Sequence, residues 1–150
     1  MFDTSKIGHS FPPFTVDIER SKIRELALAI GDDNPVYQSR QAAQAAGYPD
    51  VPVLPTMGTL FMFWGNAHFV EQLAELGLNV ARILHLEETY EYLAPLHAGE
   101  TVTAVTTVLD GATRKGPQNS SIDFVTLQFR YTNLRDQPVL IATSRFVVRE

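Results

Sequence analysis

Residues Met57 to Trp64 read Met-Gly-Thr-Leu-Phe-Met-Phe-Trp, a stretch of helical character with apolar side chains on nearly every side. Such a helix has no polar face to offer water, so it belongs inside something, surrounded rather than lying on a surface. The remainder of the chain says what surrounds it. After Gly77 the apolar period changes from that of a helix to two. Leu84, Leu86, Tyr90 and Tyr92 fall on one face of an extended segment, and Val102 to Leu109 is rich in Val and Thr. Val125, Leu127, Phe129 and Tyr131 alternate, and Val139 to Val148 follows a turn at Asn133 to Gln137. Four long strands in sequence predict an antiparallel meander. One curved sheet wrapped around the apolar helix, an α+β domain spanning residues 1–150, accommodates both patterns.

The first half is helical. Ile23, Leu26, Ala27 and Ile30 form one buried stripe, with Asp17 as the expected N-cap and Gly31 as the left-handed stop. Ser39 to Ala46 makes a second short helix, closed by Gly47. Pro49, Pro52 and Pro55 force extended or turn geometry up to Thr56, which caps the apolar helix and lets it run to about Leu76. Asp110 to Ser121 reads as the only long polar loop, and Arg114 and Lys115 there are expected at a solvated tip, with contact to the phosphates of a nucleotide carrier as the other reading.

Composition excludes several functions. A net charge of −5 leaves no basic footprint for nucleic acid. The absence of cysteine removes disulfides and thiolate metal ligands. Val51 to Val70 carries no formal charge with His68 neutral, but Pro52 and Pro55 leave roughly 15 helical residues where a span needs about 20, so a core helix is expected and no membrane. Met1 to Ile7 is polar and unlike a signal peptide, which makes the cytoplasm the expected location.

The chemistry is concentrated in Gly31-Asp32-Asp33-Asn34-Pro35-Val36-Tyr37. A helix stopped by glycine, then a carboxylate, an Asn-Pro turn and a Tyr can aim Asp32 and Tyr37 into one pocket. The same residues also make an ordinary helix cap and turn, and both readings stand at this point. Thr56, Met57 and Gly58 head the apolar helix, where unpaired N–H groups and the helix dipole favour developing negative charge, and Gly58 permits close approach of a ligand. His85 shares a strand face with Glu87, and His68 neighbours Glu71 on a helix. Neither pair has a third ligand, so no metal is expected.

The order and spacing of several pieces resemble the MaoC-like dehydratase family, and more narrowly its N-terminal-type or FAS1-like dehydratase domains. The pieces are Gly31-Asp32-Asp33-Asn34-Pro35, Gly47-Tyr48 with Leu54-Pro55-Thr56-Met57, and His85-Leu86-Glu87 with Tyr90-Glu91-Tyr92, Pro95-Leu96 and Gly99-Glu100. Phe124-Val125-Thr126, Tyr131-Thr132-Asn133 and the last strand complete them. The resemblance implies the hotdog fold and a hydratase or dehydratase acting on enoyl-CoA or 3-hydroxyacyl-CoA (or acyl carrier protein) thioesters. Catalytic members read Gly-Asp-x-Asn-Pro-x-His-x-Asp. Here Asp32, Asn34 and Pro35 match, Tyr37 stands in the His position and Ser39 in that of the last Asp.

Carried over, Asp32 is the base and Tyr37 positions water or thioester, since a phenol with a pKa of about 10 shuttles protons poorly near neutrality. Asn34, Thr56, Met57, Gly58 and His85 are expected on the substrate. No cofactor is expected beyond the carrier, coenzyme A or acyl carrier protein. The expected partner is a second hotdog domain, in a homodimer or in a heterodimer with a His-bearing catalytic MaoC-like subunit. Two alternatives remain open: a non-catalytic acyl-binding subunit of such a pair, and a thioesterase in which Asp32 or Glu87 activates water. Bulky Phe61, Phe63 and Trp64 suggest a short or medium acyl group.

Overall fold

In the computed structural model, which describes residues 1–116 and 120–149, strict alternation builds one antiparallel sheet. Its strands are β1 (Phe14–Asp17), β2 (Ile83–Tyr92), β3 (Thr101–Lys115), β4 (Ser121–Asn133) and β5 (Pro138–Arg149), in the order β1-β3-β4-β5-β2. Val102, Ala104 and Val108 of β3, Val125, Leu127, Phe129 and Tyr131 of β4, and Leu140, Ala142, Phe146 and Val148 of β5 are buried on one face. The meander expected from four successive strands holds only for β3 to β5. The segment 93–100 between β2 and β3 is too long for a hairpin turn, and β2 lies at the far edge beside β5. Four-residue β1, paired with β3, is too short for its alternation to register. Most of the expected polar loop is strand: Arg114 pairs with Ile122 and Lys115 with Ser121, and the Arg114 guanidinium lies 5.3 Å from the centre of the Phe124 ring. Residues 117–119 of that loop lie outside the described residues.

Five helices precede the long strands: α1 (Arg20–Ala29), α2 (Pro35–Gln38), α3 (Arg40–Ala45), α4 (Gly58–Gly65) and α5 (Phe69–Glu75). Helix α4 crosses the apolar face of the sheet. A Cβ on Gly58 would sit 2.8 Å from the Tyr90 ring, and one on Gly65 only 2.4 Å from Val16 Cγ2 and 2.8 Å from the Thr15 carbonyl oxygen. Glycine at both ends therefore lets the helix lie directly on β2 and β1, while Phe61 stacks edge-on against Tyr131 between them, ring centres 5.8 Å apart.

The helix expected to continue to Leu76 breaks at Asn66. There the side-chain oxygen accepts the His68 N–H at 3.2 Å and the amide donates to Gln72 at 2.8 Å, so a fresh turn starts into α5. Phe69 then packs between Phe129 and Phe146. Nor is α4 surrounded: Phe61 and Met62 are buried, but Phe63 and Trp64 are 56% and 41% exposed on the side away from the sheet.

Two further details of α1 differ from expectation. Asp17 belongs to β1 and accepts the Thr101 hydroxyl at 2.7 Å, leaving Glu19 at the N-cap without a side-chain cap bond. Ile23 and Ala27 are fully buried, whereas Ile30 is 59% exposed past the point where the helix leaves the core. The start of α1 is tied to the segment before α4 by Arg20, whose Nε and Nη2 donate to the two Asp50 oxygens at 2.9 and 2.7 Å, with Arg40 at 3.3 Å.

The Arg20 hydrogen bonds hold the Asp50 carboxyl at about 2, below its ordinary 3.8. A lowered carboxylate pKa adds stability that is complete above the ordinary value and lost as pH falls through the lowered one. The melting-temperature advantage of the natural protein over Asp50→Asn is therefore expected to be constant near neutrality. It should shrink between about pH 4 and pH 2, followed by thermal denaturation across that range.

Candidate functional site

Gly31 carries a φ of 74°, a conformation that costs a side-chain-bearing residue dearly. It ends α1 with paired bonds: the Gly31 N–H donates to the Leu28 carbonyl at 3.2 Å and the Asp32 N–H to that of Ala27 at 2.8 Å. The chain leaves in a fixed direction. Asp32 Oδ1 then accepts the Asn34 N–H at 3.0 Å, Asn34 Oδ1 accepts the Val36 N–H at 3.1 Å, and Gln38 Nε2 donates to the Asp32 carbonyl at 3.2 Å. These bonds, with Pro35 in the first turn of α2, set Asp32 and Tyr37 on one tight bend.

Burial raises the pKa of the Tyr37 phenol, and the negative charges of Asp32 and then Tyr48 add to the effect. Asp32 thus lies within electrostatic reach of Tyr37. Exposed Asn34 spends its side-chain oxygen on the bend itself.

Tyr37 looks into a cleft of about 480 Å³, lined also by Tyr48, Pro52, Val53, Tyr92 and His97. Its walls are largely rings and prolines, which suits an apolar group flanked by a few polar contacts. One wall is the approach to α4, where two tyrosines from β2 clamp three successive carbonyls. The Tyr92 hydroxyl donates to Pro55 at 3.1 Å and reaches Leu54 at 3.4 Å, and the Tyr90 hydroxyl donates to Thr56 at 3.1 Å.

Thr56 is exposed, Met57 is buried at the entry turn, and Gly58 opens the helix. The Tyr90 oxygen also meets the Thr59 hydroxyl and its backbone N–H, so this phenol covers the helix end expected to receive a ligand. The close approach that Gly58 permits is made here by the Tyr90 ring. Burial, followed by Tyr90, pushes the Tyr92 phenol up to about 12, and burial raises that of Tyr90. Near neutral pH both stay protonated, as donors should.

His85 lies elsewhere. Leu86 is an extra residue in β2, a bulge between the His85–Phe146 and Glu87–Arg145 pairs. It turns His85 to the same face as Glu88, with Nε2 2.8 Å from Glu88 Oε2, to which the Ser144 hydroxyl also donates. Glu87 is sent to the opposite face, where Arg145 holds it at 2.9 Å. The shared face expected for His85 and Glu87 is thus replaced by His85 with Glu88, and Leu84 and Leu86 stand 50% and 54% exposed, off the Tyr90 face. Seven steps along the strand, roughly 23 Å at ~3.3 Å each, separate His85 from Tyr92. His85 therefore takes no part in the cleft.

Sequence reasoning missed Tyr48 and His97 as cleft residues. The alternation of Tyr90 with Tyr92 was visible, but nothing local showed that Pro52 bridges to His97, which is what brings the imidazole to the cleft. Among the described residues no three His, Cys, Asp or Glu side chains gather as a metal site, and no helix is long and apolar enough to cross a membrane.

Comparison with known proteins shows the family and the fold of the chain. Residues 5–142 match the family described as FAS1-like, dehydratase domain region. A UPF0336 protein of Saccharopolyspora erythraea is 36% identical over 148 residues, 98% of this chain and 91% of the relative. Among solved structures, the C-terminally truncated HadBC (3R-hydroxyacyl-ACP dehydratase) complex of Mycobacterium tuberculosis superposes with a TM-score of 0.79 at 20% identity, covering 95% of this chain and 96% of that one. The R-hydratase PhaJ1 of Pseudomonas aeruginosa gives a TM-score of 0.64 at 17% identity, over 96% and 82%. Sheet and helices together are those of the hotdog fold.

Proposed function

Because the chain belongs to the FAS1-like dehydratase domain family, we propose that its cleft takes an enoyl or 3-hydroxyacyl thioester, carried on coenzyme A or acyl carrier protein, and that it is a hydro-lyase adding or removing water. The observation that carries this reading is an apolar, aromatic cleft lined by Tyr37, with Asp32 on the adjoining bend within electrostatic reach of that phenol. Hydration needs a base for water, a proton at the α-carbon and a donor for the enolate oxygen. Asp32 is the base. Tyr37, a neutral phenol near pH 7, donates a hydrogen bond that orients water or the thioester. No cofactor beyond the carrier enters this scheme.

The thioesterase alternative loses one of its two carboxylates, since Glu87 is paired with Arg145 on the outer face. Pairing with a second hotdog domain has a specific observation behind it. Strand β2, ten residues long, lies at the edge of the sheet with Leu84 and Leu86 exposed. A long edge strand offers unpaired backbone N–H and C=O groups to which another strand can add. We propose that a second copy, or a His-bearing MaoC-like subunit, adds there, in keeping with the fold's occurrence in the HadBC complex.

Calorimetric titration with butyryl-CoA tests the location of the ligand. The natural chain is expected to bind saturably, and Val53→Trp, which fills the cleft, to weaken binding at least tenfold, about 1.4 kcal/mol. Equal binding by the two proteins would place the thioester elsewhere.

A further inference from the structure

Tyr37 stands where the catalytic segment that this chain resembles has an imidazole, yet the cleft contains one. Backbone bonds from the Val53 N–H to the Leu96 carbonyl at 3.0 Å and from the Ala98 N–H to the Val51 carbonyl at 2.8 Å pin the segment after β2 against the segment before α4. In that bridge His97 lies opposite Pro52. Leu96 and Ala98, its neighbours, are buried at 2% and 6%, and alternation turns His97 the other way, onto the cleft wall shared with Pro52, Tyr37 and Tyr48. The side chain is 13% exposed, so it is sheltered without being sealed in the core.

Its surroundings also favour one orientation. The Glu100 carboxylate accepts the His97 backbone N–H at 2.6 Å and lies 3.6 Å from Nδ1, while the Tyr48 ring stands with its centre 6.2 Å from that of the imidazole. A carboxylate beside Nδ1 leaves Nε2 as the nitrogen for the cleft.

We propose that His97 is the proton donor to the α-carbon in this cleft, doing from the wall the work that Tyr37 cannot do from the bend. The assignment rests on the thioester reading above and adds a residue to it. As the oxygen of water bonds to C3 of the enoyl group, its proton passes to the Asp32 carboxylate. The C2=C3 π pair moves toward the thioester oxygen. When the carbonyl re-forms, C2 takes the Nε2 proton of the imidazolium form of His97, leaving the neutral ring, so that H and OH have been added across the double bond. The protonated Asp32 and the deprotonated His97 then exchange their proton through solvent, restoring both. Glu100 acts through His97 as a positioning residue.

Turnover of crotonyl-CoA, followed at its enone absorbance, and binding of unreactive butyryl-CoA by calorimetry together decide the matter. His97→Gln is expected to lower kcat by about 100-fold with the butyryl-CoA Kd within about twofold of the natural value. Glu100→Gln, which keeps an oxygen for the His97 N–H, is expected to lower kcat about tenfold with KM little changed, and it decides the question should His97→Gln not fold. Undiminished turnover in the folded His97→Gln protein, or a natural chain that binds butyryl-CoA and hydrates nothing, overturns the role of His97 and leaves the cleft a thioester site. Failure of the natural chain to bind butyryl-CoA overturns the thioester reading itself.

Discussion

Asp32→Asn is expected to lower the rate of crotonyl-CoA hydration by about 100-fold or more, the scale of a lost general base, with butyryl-CoA binding changed by no more than about twofold. The substitution separates the two uses of this side chain. In the natural protein Asp32 Oδ1 accepts the Asn34 N–H at 3.0 Å, which starts the bend leading to Tyr37. The amide oxygen of asparagine accepts the same bond, so the bend and the position of the Tyr37 phenol survive. What disappears is the capacity to take a proton from water. Unchanged kcat would show that Asp32 is a turn residue only, and the chemistry would have to be sought among the side chains that line the cleft.

Asp123→Ala is expected to destabilise the fold strongly, by about 3 kcal/mol, or roughly 10 °C in melting temperature for a chain of this size. Asp123 is fully buried on β4, where its carboxylate accepts the Phe2 N–H at 2.9 Å and the Thr113 hydroxyl at 2.5 Å. Truncation strands both donors and loosens the N-terminal segment, whose Phe2 ring lies so close to Gly111 that a Cβ there would be 2.1 Å away. Asp123→Asn keeps an acceptor for one donor and should fall between the two proteins in a urea titration. Equal midpoints for Asp123→Ala and the natural chain would mean that the buried carboxylate contributes nothing net.

What could be read from the residues, and what could not, follows the reach of each interaction. The bend was legible because its causes are local: Gly31 takes the left-handed conformation, and Asp32 and Asn34 each bond a backbone group two residues on. The alternation of β4 and β5 was legible for the same reason. A single extra residue, Leu86, was enough to exchange the faces of Glu87 and Glu88, because a strand has period two and one inserted position inverts everything on one side of it.

Phe63 and Trp64 show a different limit. Their apolarity is a local fact, while the side of α4 that meets the sheet is set by Gly58 and Gly65, where two distant strands need room. His97 was beyond reach because its place depends on Pro52, 45 positions earlier in the chain. The candidate base and phenol came from the local pattern, and the imidazole came from the tertiary contact.

Incubation of the purified chain with crotonyl-CoA, with enone absorbance and free thiol recorded together, tests the central claim most directly. The expected result is loss of the enone absorbance with no thiol released, giving a 3-hydroxybutyryl thioester. Release of thiol with the enone intact would instead describe attack of water on the carbonyl, and would contradict the assignment of this cleft to hydration.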